Sequence, residues 1–526
     1  MPFVHATHRR KRASSFKTRG PSLVRHLVVI LWLVLTPAMV LADNQPELPA
    51  SITSSLDLIS SQRMLEDVRT LSGPTFNGRQ TGTSDDLASA EFVRQRFLDL
   101  HRSQPASPQP GTESHRVQDP IHIQSTPHRP TIVDEHSLLQ VNLTRDSPPD
   151  QIGPDYLPVL DSPSADLRAP VVFVGYGIAD SEGGFDDYAG LDVRDKVVLF
   201  LRGKPERYSK QVSHADKVHA AHAHGALAYL TATGPILSAY EARRGFTGRP
   251  SAFYGLTDPR RTIPGAWIST TRAIAILQAA PSANGDRLRT LQHNLNEGHT
   301  PQSAATDTSV TMRWHSAAQD GMLHNVVFTL PGGGGSMTEE AIVVGAHRDH
   351  FGKQGGLLFA GADDNASGTA VLLEVAHVLH AIPVKPKRSI VLISFSGEEQ
   401  GLLGSKFYVS QPAVPLRSTL AMINVDHAAI GNGRLTIGVT GMEKTAAQQA
   451  GQTAGLADRL DVFGFFPGGD HVPFKEAGIP TVTVVSGGMH PHFHQPTDTA
   501  DTVNPDILAA AARYVLAMLW QLADAP

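Results

Sequence analysis

The sequence predicts an α/β protein whose core is a central, mostly parallel mixed sheet with helices on both faces. From residue 325 onward, short apolar runs alternate with helical segments such as residues 367–382. A run that is apolar at every position indicates a strand covered by helices on both sides. Polar and charged residues follow these runs directly, and open α/β sheets place their sites at such strand ends. The predicted strands begin at Ala341, Ser389, Leu420 and Thr481.

The first part of the chain differs from the rest. Residues 1–42 carry seven basic residues and no acidic ones, with an apolar run, Leu27–Leu35, and a small residue, Ala42, at the end. This pattern is typical of a cleavable signal peptide, so we expect a secreted or periplasmic protein with no stable membrane association after cleavage. An uncleaved anchor is disfavoured because the run is short for a span of about 20 residues and Pro37 interrupts it. We also expect no later segment to be long and apolar enough to cross a bilayer.

The remaining chain divides into three predicted parts. Residues 43–165 show apolar residues at helical spacing between 50 and 101, and then a Pro- and Ser-rich stretch, residues 102–130, that we interpret as a surface loop. Residues 166–295 change to short β-branched runs separated by Gly- and Asp-rich turns, which indicates an inserted, smaller α+β domain. Residues 296–526 form the predicted main α/β domain.

The composition argues against nucleic acid as a partner and excludes cysteine thiolates as metal ligands. With 45 basic and 50 acidic residues the net charge is −5, and without the seven basic residues of the predicted signal it becomes −12, from 38 basic against 50 acidic. So acidic a protein offers no basic patch for phosphates, and we expect no nucleic-acid partner. The chain contains no cysteine. Any zinc must therefore be held by His, Asp and Glu.

Five short motifs between His347 and His494 carry potential metal ligands. Two imidazoles and three carboxylates can hold two divalent ions, and a spare glutamate beside them can accept a proton, as in hydrolases with two metal ions. Taken alone, a Glu-Glu pair is more often a solvated pair, and Asp-Asp-Asn can be a helix N-cap. The motifs are Gly-Ala-His347-Arg-Asp349, Gly-Ala-Asp363-Asp364-Asn-Ala-Ser-Gly, Ser-Gly-Glu398-Glu399-Gln-Gly, Ile-Asn-Val-Asp426 and Phe-His494-Gln-Pro-Thr-Asp.

In this order and at this spacing, the motifs resemble the di-zinc aminopeptidase family that includes aminopeptidase Y, with glutamate carboxypeptidase and the transferrin receptor as relatives. The resemblance covers residues 325–526 and extends more weakly upstream through Asn77-Gly78-Arg79. It implies a zinc exopeptidase fold, peptide substrates and two Zn²⁺ per chain. Residues 166–295 resemble a protease-associated domain through Val-Gly-Tyr-Gly-Ile and Asp186-Asp187-Tyr188, and in the family this domain lies beside the cleft.

The resemblance implies a division of the ligands between two sites. Asp364 would bridge both ions, while His347 and Asp426 would complete one site and Glu399 and His494 the other. Two cations about 3.5–4 Å apart repel each other, so a shared carboxylate between them is needed.

Glu398 and Asp349 are the candidate catalytic residues. Glu398 is adjacent to a ligand and cannot face the same ion, so we expect it to act as general base on a water shared by the metals and then to protonate the leaving amine. Asp349, two residues after His347, is expected to orient that imidazole through its free nitrogen.

Other polar residues near the motifs have alternative interpretations. Asp363 is expected to make local contacts rather than to bind metal, and His427 to be a structural histidine. His490 and His492 are rivals of His494, although His-Gln-Pro-Thr-Asp-Thr resembles the family's His-Thr-Pro-x-Asp-Thr and favours His494. We interpret a further group as a surface stripe on the inserted domain: His214, His219, His222 and His224.

The sequence thus predicts a secreted, zinc-dependent metallo-exopeptidase, foremost an aminopeptidase acting on peptides. A carboxypeptidase or dipeptidase of the glutamate carboxypeptidase type shares the ligand set, but it needs basic residues for the substrate carboxylate, and no clear cluster is visible. Glutaminyl cyclase shares the fold with one zinc, and a receptor-like member without activity usually lacks the ligands. We expect the substrate pocket near Phe463-Gly-Phe-Phe-Pro-Gly-Gly.

Overall fold

The computed structural model describes residues 50–102, 119–245, 247–278 and 286–525, and the predicted signal peptide lies outside them. The strands are β1 (Ile121–His128), β2 (Thr131–Val133), β3 (Leu138–Asn142), β4 (Tyr156–Pro158), β5 (Ala165–Phe173), β6 (Ala179–Asp180), β7 (Phe185–Asp186), β8 (Val197–Leu201), β9 (Ala228–Ala232), β10 (Gly265–Ile268), β11 (Ala304–Trp314), β12 (Ser316–Ala318), β13 (Gly321–Leu330), β14 (Ala341–His347), β15 (Gly352–Gln354), β16 (Leu357–Phe359), β17 (Ser389–Phe395), β18 (Thr419–Val425), β19 (Leu435–Thr440), β20 (Leu460–Phe463) and β21 (Thr481–Ser486). The helices are α1 (Ala50–Ser55), α2 (Ser61–Leu71), α3 (Ser84–Arg102), α4 (His214–Ala223), α5 (Ala239–Arg244), α6 (Thr270–Gln278), α7 (Arg287–Asn296), α8 (Ser367–Ala381), α9 (Leu403–Ser410), α10 (Lys444–Thr453), α11 (His471–Glu476) and α12 (Pro505–Asp524).

Eight strands form the main sheet, in the order β1-β13-β17-β14-β18-β21-β19-β20. The four central strands, β17, β14, β18 and β21, are parallel to one another. On one side β13 and β1 continue the sheet with antiparallel pairs, and on the other side β19 pairs antiparallel with β21. The predicted mixed, mostly parallel sheet is confirmed, because each fully apolar run of the sequence is one of its buried central strands.

Helices cover both faces of the main sheet. On one face α2, α3, α8, α10 and α12 bury their apolar side chains in the largest core, and on the other face Tyr408 of α9 and Phe474 of α11 pack against the strands. By length and composition α12 could cross a bilayer, contrary to our expectation for the later chain, but 72% of its apolar window is buried inside the protein. It is therefore a core helix.

Seven strands form a second sheet in the order β3-β11-β5-β8-β9-β10-β4, and we call residues 138–314 the second-sheet module. Its inner strands β5, β8, β9 and β10 are parallel, and α4, α6 and α7 pack on its faces. The predicted inserted domain, residues 166–295, supplies most of this sheet. The outer strands β3, β4 and β11 lie wholly outside that interval, so the module begins earlier and ends later along the chain.

The interpretation of residues 102–130 as a surface loop is wrong for its last part. Residues 103–118 lie outside the described residues, but Ile121–His128 form β1 and pair antiparallel with β13 over eight positions. Edge strands need only one partly apolar face. Because many residues of β1 are polar, the sequence did not indicate a strand there. The part predicted as helical, residues 43–165, contains four complete strands after α3.

Candidate metal centre

The central parallel strands bring the predicted site residues to one edge of the main sheet, because their carboxyl ends all lie there. Asp364 lies in the turn of residues 362–366, between β16 and α8. The others stand at strand ends or in the loops that follow: His347 ends β14, Glu398 and Glu399 follow β17, Asp426 follows β18, and His494 lies beyond β21.

The turn that presents Asp364 depends on a glycine and on a buried acid. Gly361 has φ +62°, and a Cβ atom there would lie 2.4 Å from the main-chain oxygen of Asp364. The Asp498 carboxylate accepts hydrogen bonds from the N–H groups of Asp363 (2.9 Å) and Asp364 (3.1 Å). Asn365 Oδ1 accepts the N–H of Gly368 at 2.9 Å, so within the Asp-Asp-Asn segment it is Asn365, and not Asp363, whose side chain makes the local helix-start contact.

Asp364 faces both histidines through different oxygens. His347 Nε2 lies 3.5 Å from Asp364 Oδ1 and 3.3 Å from Asp426 Oδ1. His494 Nε2 lies 3.0 Å from Asp364 Oδ2 and 3.5 Å from Glu399 Oε2. The structure thus brings all five predicted ligands together in the two predicted groups, with Asp364 shared between them.

The hydrogen bonds of the two imidazoles fit metal ligation. His494 Nδ1 lies 2.9 Å from the Ala252 carbonyl oxygen, and His347 Nδ1 lies 3.2 Å from the Asp349 carbonyl oxygen. A carbonyl only accepts, so each Nδ1 carries the proton and each Nε2 lone pair faces carboxylate oxygens that cannot donate. A cation between these atoms removes the repulsion. Nitrogen and oxygen ligands without thiolate suit zinc.

The carboxylates around His347 also shift the pKa of its imidazole. Burial lowers this pKa, but the negative charges of Glu398, Asp349 and Asp426 outweigh burial and raise it well above the ordinary value for histidine. A metal ion at Nε2 takes the place of that proton.

Glu398 and Asp349 are held together beside the ligands. The N–H of Glu398 donates to Asp349 Oδ1 at 3.3 Å, and Thr81 Oγ1 donates to Asp349 Oδ2 at 2.9 Å. Asp349 Oδ1 is 3.6 Å from His347 Nδ1, farther than the carbonyl of the same residue. Residue 349 therefore orients the imidazole mainly through its backbone, whereas its carboxylate fixes the turn that carries Glu398. Burial raises the pKa of Glu398 well above its usual value.

Two further histidines contact the ligands. His350 Nδ1 lies 2.8 Å from Glu399 Oε1, a contact that sequence reasoning missed although His350 follows His347 by three residues. His427 lies 3.7 Å from Asp364 Oδ2 and 3.8 Å from Asp426 Oδ1. Burial alone lowers the pKa of His427, but these carboxylates raise it to about 10. His427 therefore belongs to the site, contrary to the expectation of a purely structural histidine.

The rivals of His494 make other contacts. His490 Nδ1 lies 2.7 Å from Asp363 Oδ2, and His492 Nδ1 lies 2.9 Å from Thr497 Oγ1. Asp363 also accepts the N–H of Ala429 at 2.9 Å, so its side chain contacts distant segments rather than the local ones we expected, and it forms a group of potential metal ligands with His427 and His490. In the part of the chain that the structure describes, the four histidines at 214–224 join no group of potential metal ligands.

A cavity of about 610 Å³ adjoins the centre, because His427 lines it as well as contacting Asp364. Its apolar walls come from the aromatic segment singled out in the sequence and from the loop before His494. Among the described residues that line it there is no lysine or arginine. The apolar lining residues are Phe463, Phe465, Phe466, Pro467, Val485, Met489 and Phe493.

Comparison with known proteins agrees with this geometry, since residues 325–519 match the profile of peptidase family M28. We call this matched segment the M28 domain. The chain has sequence relatives among curated proteins, one of them Aminopeptidase YwaD of Bacillus subtilis (strain 168). The two are 31% identical over 172 residues, which are 31% of this chain and 37% of that protein. The chain spans well under two thirds of the length of the curated relatives that it matches.

Solved structures match a larger part of the chain than the M28 domain alone. An aminopeptidase from Aneurinibacillus sp. strain AM-1 superposes with a TM-score of 0.63 at 21% identity, over 90% of this chain and 95% of that one. BSAP, a zinc aminopeptidase from Bacillus subtilis, gives 0.59 at 19% identity, over 89% and 96%. At such identities the likeness establishes the fold, and it extends beyond the M28 domain into the second-sheet module.

Proposed function

We propose that this protein is a secreted aminopeptidase that uses two zinc ions and removes large apolar residues from the N-termini of peptides. One observation carries the proposal: Asp364 faces the Nε2 atoms of His347 and His494 through its two different oxygens, at 3.5 and 3.0 Å. With this arrangement, each of two ions would be held by a histidine, by a carboxylate of its own and by one oxygen of Asp364.

When bound, the ions supply a Lewis acid for the peptide carbonyl and a water of lowered pKa. Glu398 then receives the proton of that water at its carboxylate and gives it to the leaving amine. Two cations nearby would favour the ionised form of Glu398 and so lower its raised pKa, which would help the carboxylate to accept a proton.

An aminopeptidase is favoured over a carboxypeptidase because the arginines near the centre are occupied elsewhere. Arg348 is fully buried and pairs with Asp86, and Arg79 donates to the main-chain oxygens of Leu71, Ala360 and Gly361. Neither guanidinium lines the cavity, so neither is placed to hold a substrate carboxylate. An acidic centre suits the positive α-amino group of a peptide N-terminus.

The cavity supports the choice of substrate side chain. Its walls are aromatic and apolar, and its one acidic residue, Asp461, is already paired with Arg434 at 2.7 Å. Burying a Leu or Phe side chain in such a pocket contributes about 1.5–3 kcal/mol. We therefore expect phenylalanyl and leucyl substrates to be preferred over alanyl or glutamyl ones.

The test compares Glu398→Gln with Glu443→Gln, at an exposed glutamate directly before α10, which serves as a matched control. We expect wild type and both variants to bind two zinc per chain, while Glu398→Gln loses at least about a hundredfold in kcat, as expected for loss of a general base. Wild-type turnover by Glu398→Gln, or one zinc in the wild type, would contradict the mechanism.

Substrates with blocked ends test the direction of cleavage. Loss of activity on N-acetylated peptides, with C-terminal amides still cleaved, is the expected result for an aminopeptidase. The reverse pattern would favour the carboxypeptidase alternative, and cyclisation of an N-terminal glutamine with one zinc would favour glutaminyl cyclase. N-terminal sequencing of the exported protein tests the predicted cleavage after Ala42.

A further inference from the structure

The loop that carries His494 is bound to the second-sheet module by a closed set of hydrogen bonds. Ala252 donates its N–H to the His494 carbonyl oxygen at 3.0 Å and accepts from His494 Nδ1 at 2.9 Å. The next residue, Gln495, donates through Nε2 to the Pro250 carbonyl oxygen and to Ser251 Oγ, both at 2.8 Å. Residues 250–252 thus hydrogen-bond both to His494, the candidate metal ligand, and to the adjacent Gln495.

The two histidine ligands differ in how they are supported. His347 Nδ1 is held by residue 349 of its own loop, whereas His494 Nδ1 is held by a carbonyl 242 residues away in the chain. His494 also has φ +55°, a left-handed conformation that costs a non-glycine residue about 1–3 kcal/mol. Such a residue keeps its position only when surrounding contacts enforce it.

A small apolar cluster supports the same imidazole from the side. The Phe351 ring meets the His494 ring edge-on, with centroids 4.7 Å apart. Phe351 is fully buried in a cluster with Phe359 and with four residues of the second-sheet module, Leu157, Leu160, Ala252 and Tyr254. The module therefore holds His494 directly by hydrogen bonding and supports it indirectly by packing on Phe351.

Gln495 is the residue that departs from the threonine of the family pattern. Its amide reaches two acceptors of the module and fixes the distance between segment 250–252 and the ligand loop. The shorter threonine side chain cannot replace both bonds, because its hydroxyl group has one hydrogen to donate whereas the amide of Gln495 donates two to Pro250 and Ser251.

We propose that Gln495 is a positioning residue that makes the Glu399–His494 half of the metal centre depend on the second-sheet module, while the His347–Asp426 half does not. This inference rests on the proposed two-zinc function. The module then has a role in assembling the centre, in addition to any role in limiting substrate size.

The experiment measures the two stepwise zinc affinities of the full chain by competition with a chelator. In Gln495→Met, which keeps the length of the side chain and removes both hydrogen bonds, we expect one affinity to fall about 10-fold, the lower end of the 10- to 100-fold range for direct partners of a metal ligand, because Gln495 acts on His494 only through segment 250–252. The other affinity stays within about twofold. Gln448→Met, an exposed glutamine on α10, is the matched control and should leave both affinities unchanged.

A second variant separates the effect from general loosening of the fold. Ser251→Ala removes one of the two acceptors of Gln495 and keeps the other, so we expect a smaller fall in the same affinity. Equal loss of both affinities, or none in Gln495→Met, overturns the inference. Failure of the wild type to bind two ions instead overturns the proposed function, so the two failures are distinguishable.

Discussion

Replacement of Arg348 by methionine should destabilise the fold strongly although Arg348 binds no metal. The Arg348 guanidinium lies 2.5 Å from Asp86 Oδ1, and both side chains are completely buried. The same guanidinium donates to Ser89 Oγ at 3.0 Å and to the main-chain oxygens of Ser394 and Phe395. Methionine fills the space and removes every one of these bonds.

The size of this loss of stability follows from the Asp86 carboxylate, which stays buried after its partner Arg348 is removed. Removing one partner of a buried ion pair costs about 3–5 kcal/mol, because the other charge remains without compensation. Burial already outweighs Arg348 and raises the pKa of Asp86 to about 6, and without the guanidinium the pKa rises further. The raised pKa means that the folded state keeps this proton to higher pH than the unfolded state. The deficit of the variant is therefore largest above the further raised pKa of its Asp86, shrinks as the pH falls towards about 6, and levels off below 6, where Asp86 is protonated in both folded proteins.

Urea unfolding of the zinc-saturated protein at pH 7.5 and pH 5.5 measures this effect. A double variant, Arg348→Met with Asp86→Leu, removes both charges and should recover about half of the loss or more, since an apolar pair of similar volume is often tolerated. A loss below about 1 kcal/mol in the single variant, or a deficit that grows at low pH, would refute the reasoning.

Two further predictions concern the turn at Asp364 and the substrate pocket. Gly361→Ala should lower the free energy of unfolding by about 2 kcal/mol or more and lower the zinc content, because it places a Cβ 2.4 Å from the Asp364 carbonyl oxygen at φ +62°. Calorimetry measures the loss of stability and metal analysis the zinc content. An unchanged Tm would contradict the predicted strain. Phe465→Ala should lower the ratio of kcat/KM for phenylalanyl anilides to kcat/KM for alanyl anilides about tenfold, because this half-exposed ring forms part of the cavity wall. An unchanged ratio would mean that the substrate side chain binds elsewhere.

The main sheet was predictable because its central strands are apolar on both faces. Ile390–Ile393 and Ile342–Val344 cannot be exposed on either side without cost, so sequence alone indicates a covered parallel sheet. The edge strand β1 could not be predicted in this way. Its buried side is limited to Ile121 and partly buried neighbours, and the pattern of a half-covered strand resembles that of a loop.

The grouping of the candidate ligands was predictable because the motifs place them at the carboxyl ends of central strands, in the loops that follow these strands, or in a glycine turn. The groups around them were not, because their roles arise from contacts between distant segments. His350 contacts Glu399 across 49 residues, and the carbonyl of Ala252 that holds His494 belongs to a loop of the second-sheet module. Nothing in the local sequence of Pro250-Ser-Ala252 indicates metal chemistry, since a backbone carbonyl carries no signature of its own.

This difference explains why the two halves of the centre should respond differently to change. The His347–Asp426 half is built from adjacent strands, β14 and β18, whose register is fixed by the main core. The Glu399–His494 half relies on a loop with a left-handed residue and on a module that packs from outside the sheet. Loss of order at the module interface should therefore release one ion before the other. Stepwise zinc release during mild urea treatment, with the second ion lost only when the main sheet unfolds, is the expected behaviour, and simultaneous release would show that both halves belong to one cooperative unit.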